Sequence, residues 1–217
     1  MKTVALIVAG GKGERMASDI PKQFLLINKV PILIHTLKKF SHFNEIILVL
    51  ANSQFKYWNK LCIDYNFNEP YTLVEGGSSR FESVKNGLSK ITKGKIVAIH
   101  DAVRPLIPKT LIDKLISHTR KDVGIVPILA IQDSIRKKIG SKSSFADRSK
   151  YYLVQTPQCF ISNDIKSAYQ QRFTKRFTDD ASVLESNGCE IIGVTGDVKN
   201  IKITNKEDLI IAEALMQ

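Results

Sequence analysis

Short apolar runs alternate with amphipathic stretches along most of the chain. "TVALIVA" (3–9), "EIILVLA" (45–51), "YTLVE" (71–75), "KIVAIHD" (95–101), "DVGIVPILAI" (122–131) and "EIIGVTG" (190–196) predict strands. Between them, "PILIHTLKKF" (31–40), "SQFKYWNKLCIDY" (53–65), "RFESVKNGLSKI" (80–91) and "KTLIDKLISHTRK" (109–121) have helical periodicity, with Pro31 in the first turn of its helix. Near-continuous Val, Ile and Leu in the strand runs means burial on both faces, hence a mostly parallel sheet covered by helices. The expected fold is therefore α/β: an open, mostly parallel, twisted sheet flanked by helices.

The rhythm breaks at 132–160. "QDSIRKKIG" (132–140), "SKSSFADR" (141–148) and "SKYYLVQTPQCF" (149–160) read as two strands around a polar turn near Ser141–Ser144, with no helix between. This predicts a protruding β-hairpin arm, or else two edge strands. The helices "NDIKSAYQQRF" (163–173) and "DDASVLESNG" (179–188) then restore the alternation, and a short "NIKI" (200–203) precedes a last helix, "KEDLIIAEALM" (206–216). Thr204-x-x-Glu207 gives that helix a capping-box signature. There is no repeat or interdomain linker, so residues 1–217 read as one domain, with 132–160 as the arm.

Composition narrows the class. No apolar stretch reaches the roughly 18 residues of a membrane span. The start, "MKTVALIVAGG", leads straight into charged "KGERM" and reads as a strand rather than a signal peptide. Cys62, Cys159 and Cys189 are an odd, scattered set without metal-ligand spacing, which suits a reducing, cytoplasmic compartment. The net charge of +11 fits an anionic small substrate, nucleic acid, or simply solvated helix faces. An RNA-binding surface would interleave aromatic stacking platforms with the basic residues, and the sequence lacks that arrangement, so we expect neither a nucleic-acid nor a membrane partner.

The stretch "ALIVAGGKGERM" (5–16) carries the first chemical signal. It fails the P-loop spacing around Lys12, and only Gly11 and Gly13 fit a dinucleotide fingerprint, whose third glycine position is Met16. The physical content survives: a strand ends at Ala9, and Gly10, Gly11 and Gly13 let backbone N–H groups approach phosphates. Arg15 adds a bidentate donor, and "PKQF" supplies Lys22. Without further context this is also what a tight strand-to-helix turn with solvated charges looks like.

The motif G-G-x-G-x-R-M followed by P-K-Q-F resembles the signature loop of the sugar-phosphate nucleotidyltransferases. Among them the chain is most similar to the 2-C-methyl-D-erythritol 4-phosphate cytidylyltransferases. "GGSSRFESVKNGL" (76–88), "IHDAVRP" (99–105), "QTPQCF" (155–160), "TDDASVLE" (178–185) and "NIKIT" with "EDL" match further blocks in order, from Val4 to Leu215. The resemblance implies a Rossmann-like fold, CTP and a polyol phosphate as substrates, Mg²⁺, and a homodimer built through the arm. The ribitol-5-phosphate cytidylyltransferases share the loop and the arm; "TDDASVLE" fits the methylerythritol enzymes better.

The reaction so implied joins a phosphate monoester to the α-phosphorus of CTP and releases pyrophosphate. It calls for cations and in-line positioning rather than a nucleophilic triad. By resemblance, Arg15, Lys22 and Lys202 act on the reacting phosphates, while Val8, Ala9, Gly10, Gly11 and Gly13 wrap the triphosphate. Gly77 and Ser83 would meet cytosine; Ser78 stands where relatives often have an acidic residue, leaving the backbone contact. Asp101 and Arg104 follow the end of a strand, where α/β sheets bind ligands. Asp101 can contact CTP, hold the metal or bind substrate hydroxyls, and Arg104 can bind phosphate. Ser134, Arg148, Thr156 and Thr178 are the remaining expected contacts to the acceptor, with Arg148 reaching a neighbouring subunit. His100 reads as structural, and Asp179 with Asp180 as a helix start rather than a metal pair.

Overall fold

The computed structural model describes residues 1–9 and 20–216. In chain order the elements are β1 (Thr3–Val8), β2 (Leu26–Ile27), β3 (Val30–Pro31), α1 (Ile32–Lys39), β4 (Glu45–Leu50), α2 (Phe55–Asp64), β5 (Thr72–Glu75), α3 (Arg80–Ser89), β6 (Ile96–Asp101), α4 (Lys109–His118) and β7 (Val123–Ala130). There follow β8 (Ile135–Ile139), β9 (Lys142–Ala146), β10 (Tyr152–Val154), β11 (Gln158–Ile161), α5 (Ser162–Ala168), α6 (Asp180–Glu185), β12 (Glu190–Thr195) and α7 (Lys206–Leu215). Short 3₁₀ turns sit at Lys22–Phe24, Asn52–Gln54 and Arg148–Lys150.

The sheet has eight strands. β5, β4, β1 and β6 lie side by side and parallel. β11 runs antiparallel between β6 and β7, and β7 also pairs β10 antiparallel and β12 parallel. The apolar runs are buried on both faces, as their composition demands. In β1, Ala5 and Ile7 enter one core with Leu33 and Leu37 of α1 and Leu111 and Leu115 of α4. Val4, Leu6 and Val8 enter the other with Phe81, Val84 and Leu88 of α3 and Leu184 of α6. Period-2 alternation along one strand thus feeds two hydrophobic layers.

Several boundaries differ from the sequence expectation. Pro31 ends β3 and caps α1 instead of entering its first turn. The stretch 149–160 is two strands, not one, and both return to the main sheet. The arm proper is the β8–β9 hairpin, a separate two-stranded sheet. Its turn falls at Gly140–Ser141 and not across Ser141–Ser144; Gly140 has φ +58°, the left-handed region a two-residue hairpin turn requires. "NIKI" forms no strand. The capping box of α7 is Asn205 with Asp208, one residue beyond Thr204 and Glu207. The helix start at Asp179 is as read: its side chain accepts from Ser182 N–H in a capping box for α6.

Candidate active site

β1 leads to β4 and β5 on one side, and β6 then joins the other side of β1. The crevice between the carboxyl ends of β1 and β6 is therefore the topological switch point, where open α/β sheets bind ligands. Val8 and Asp101, the last residues of the two strands, are register partners. A cavity opens beside them, lined by Val8, Ala9, Lys22, Gln23, Arg80, Asp101, Ala102, Val103 and Lys202.

Asp101 is buried at the centre of a cationic group. Its Oδ2 lies 2.9 Å from Lys202 Nζ and 3.5 Å from Arg104 Nε, and its Oδ1 lies 3.8 Å from Arg80 Nε. Burial by itself would raise the carboxyl; Arg80, Lys202 and Arg104 overcome it and hold Asp101 well below the usual carboxylate range. Lys22 enters the cavity from the 3₁₀ turn at Lys22–Phe24, its ammonium 3.4 Å from the Ile203 carbonyl. Gln23 donates to the Ala9 carbonyl at 2.9 Å and to Gln54 at 2.8 Å, tying this turn to the end of β1. The cavity is thus a concentration of positive charge around one carboxylate, suited to a polyphosphate.

The neighbouring strand ends are held by buried polar bonds. Thr156 Oγ1 accepts from the Asp101 N–H at 3.0 Å and lies 3.1 Å from His100 Nδ1. His100 Nε2 meets the Arg104 carbonyl at 3.1 Å, and Arg104 Nη1 donates to the Asn200 carbonyl at 2.8 Å. Asn200 Nδ2 donates to the Thr156 carbonyl at 2.9 Å, so the segment bearing Lys202 is pinned to the strand ends. Thr156, expected to offer a hydroxyl to substrate, spends it on this framework.

Ser83 behaves similarly. It is buried, accepts from the Gly77 N–H at 3.1 Å and donates to the Ser79 carbonyl at 2.9 Å. A Cβ at Gly77 would come 2.3 Å from Glu82 Cβ, so glycine is what lets the loop close over α3. Ser78 donates through N and Oγ to Glu82 Oε2 at 2.8 and 2.6 Å. Those bonds lower the Glu82 carboxyl.

Residues 3–217 match the family described as 2-C-methyl-D-erythritol 4-phosphate cytidylyltransferase (IspD). The chain belongs to this family. Proteins carrying the same description in Azobacteroides pseudotrichonymphae and Bacteroides fragilis are 46% and 43% identical to it. The first match covers 97% of each chain and the second 100% of each. Among solved structures, a 4-diphosphocytidyl-2C-methyl-D-erythritol synthase of Anaerococcus prevotii matches with TM-score 0.83 and 27% identity over 100% of this chain and 96% of that one. The cytidylyltransferase of Francisella tularensis matches with TM-score 0.81 and 28% identity, covering 99% and 100%.

Beyond Gly77, Ser83 and Thr156, whose bonds are given above and which do not line the cavity, the expected residues of this cytidylyltransferase fold divide three ways. Val8, Ala9, Lys22, Asp101 and Lys202 meet at the cavity, with Arg104 against Asp101. Gly10, Gly11, Gly13 and Arg15 lie outside the described residues. Ser134, Arg148 and Thr178 do not line the cavity of their own chain. Ser134 is at the base of the arm, and Arg148, on the returning limb, donates to the Gln132 carbonyl. Thr178 faces a separate aromatic hollow beside Phe81, Tyr169 and Phe177. Sequence reasoning missed Arg80, Gln23 and Asn200. The first two stand inside blocks that were read for their neighbours, and nothing near Asn200 signals that it will be fully buried.

Proposed function

We propose that this protein transfers CMP from CTP to 2-C-methyl-D-erythritol 4-phosphate, releasing pyrophosphate, and works as a Mg²⁺-dependent cytoplasmic homodimer. The observation that carries the reaction is the meeting of Lys22, Lys202, Arg80 and Arg104 around Asp101 at the switch point. A phosphate oxygen of the acceptor attacks the α-phosphorus of CTP; the bond from that phosphorus to the α,β-bridging oxygen breaks, and its electron pair leaves with pyrophosphate. The monoester is largely dianionic near neutral pH and needs no strong base. What limits the step is negative charge crowding onto one centre, which preorganised cations relieve. Lys22 and Lys202 both line the cavity, and the end of β1 at Val8 and Ala9 offers backbone to the triphosphate.

Magnesium typically takes one or two carboxylates together with phosphate oxygens and water. Asp101 fits that donor set as the single carboxylate, and no cluster of three or more His, Cys, Asp or Glu exists among the described residues. A metal held there would neutralise phosphate charge and align the leaving group. Arg80, Lys202 and Arg104 keep the Asp101 carboxylate ionised.

Ser134 and Arg148 on the arm reach an acceptor only if a second copy brings them to its cavity. An apolar strip supports that pairing: Phe145, Tyr151, Tyr152 and Leu153 are each more than half exposed and continue from the arm onto β10. The three cysteines are free, in keeping with a reducing compartment.

The test is pyrophosphate release with each acceptor offered separately. Turnover should require CTP, methylerythritol phosphate and Mg²⁺, with CTP preferred to ATP. Robust turnover with ribitol 5-phosphate alone would overturn the choice of acceptor.

A further inference from the structure

Tyr169, Asp180 and Arg80 form a connected chain from the core to the cavity wall. Asp180, the first residue of α6, is fully buried. Arg80 meets it end-on: Nη1 donates to Oδ1 at 2.8 Å and Nη2 to Oδ2 at 2.6 Å. The Tyr169 hydroxyl donates to Oδ1 at 2.6 Å. The Tyr169 ring is itself fixed, stacked on Phe81 with centroids 4.6 Å apart and planes 26° apart. The carboxylate therefore has one orientation, and its fork sets the plane of the guanidinium.

An arginine carries five N–H donors. Two serve Asp180, so the Nε–H and one hydrogen on each Nη remain. Nε points towards Asp101 at 3.8 Å, and the side chain lines the same cavity as Lys22 and Lys202. An isolated buried carboxylate is costly in a core, and pairing with a neighbouring cation recovers that cost without explaining why the pair exists. Here the pair's open end faces the phosphate cavity, while its closed end is anchored among aromatic rings.

We propose that Tyr169 and Asp180 are positioning residues that hold Arg80 at the cavity wall as a further phosphate-binding cation of the cytidylyl-transfer site. This rests on the transfer reaction above. The phosphate held by Arg80 belongs either to CTP or to the acceptor, and separate Michaelis constants distinguish the two.

The test is a double-mutant cycle on kcat/KM, alongside thermal melting to correct for folded chain. Arg80→Gln should lower kcat/KM by ~10²-fold, the usual effect of losing one preorganised donor. Asp180→Asn and Tyr169→Phe should each lower it by about tenfold, and neither should lower it further in the Arg80→Gln background. A rise in KM for CTP alone assigns the phosphate to the nucleotide; a rise for methylerythritol phosphate alone assigns it to the acceptor. Unchanged kcat/KM in Tyr169→Phe, or losses that multiply in the double variants, would overturn the relay. If Asp180→Asn fails to fold, the Tyr169→Phe and Arg80→Gln cycle still decides, because that phenylalanine keeps the stacking on Phe81. Wild-type chain inactive on both substrates would overturn the reaction and the relay together; active wild type with multiplying losses overturns the relay alone.

Discussion

His100 packs against Phe40 and is fully buried. The Arg104 carbonyl can only accept, so Nε2 carries the proton and Nδ1 takes the Thr156 hydroxyl hydrogen. That is the neutral imidazole, and burial pushes its pKa down to about 4. The unfolded chain, near 6.5, therefore binds the extra proton first as pH falls. The stability is complete above pH 6.5 and is lost progressively towards pH 4. Between pH 7 and pH 5 the loss should be about 2 kcal/mol. Urea unfolding of wild type and His100→Gln at both pH values checks this: the variant is less stable but should lose most of the slope. The downward shift of Asp101 acts below its unfolded value of 3.8 and leaves this window untouched. A slope of equal size in His100→Gln would assign the effect to other groups. At this scale Asp101 and Arg104 stood out because they follow the end of a strand, and Lys22 because it follows Pro21 in a charged motif, whereas Lys202 was named only through the resemblance. Arg80 was not, because its meaning depends on Asp180, 100 residues away.

At the scale of elements, the strands were legible because burial on both faces leaves a continuous apolar run. The β10–β11 division was not. Both strands share one polar-to-apolar stretch, and the break at Gln155–Pro157 is imposed by tertiary bonds from Gln155 and Thr156 to Asn200, Asp101 and their neighbours. The cap of α7 shows the same competition in small. Thr204 has the right chemistry for an N-cap, but its N–H and hydroxyl both go to Asp208, and Asn205 takes the cap, accepting from the Asp208 N–H at 2.9 Å. This fixes the entry to α7 just after the extended segment that carries Lys202. Asn205→Ala should therefore cost ~1 kcal/mol, the usual worth of such a cap, whereas Glu207→Ala should be nearly neutral. Chemical unfolding of the two variants checks the register; a loss in Glu207→Ala with Asn205→Ala neutral would restore the box to Thr204 and Glu207.

At the scale of the molecule, one chain does not assemble every expected contact. The cavity holds Lys22 and Lys202, while Arg148 sits at the base of the arm, bonded to its own Gln132 carbonyl. A two-stranded hairpin is marginal alone and is stabilised by packing on a partner. A twofold dimer would exchange the arms and complete two equivalent sites. Subunit mixing then gives a result that no monomeric scheme reproduces. Lys22→Ala removes a cation from the reacting phosphates and should lower turnover by ~10²–10³-fold. Arg148→Ala should be similarly impaired as a homodimer. If Arg148 acts across the interface, a mixed dimer has one site carrying both substitutions and one site carrying neither. Dissociating, mixing and reassociating the two inactive chains should thus restore activity, to roughly a quarter of wild type when chains pair at random. Verified mixed dimers that stay inactive, or a chain that is monomeric at assay concentration, would show that each subunit works with its own residues, and the exposed strip along Tyr151–Leu153 would then need another partner.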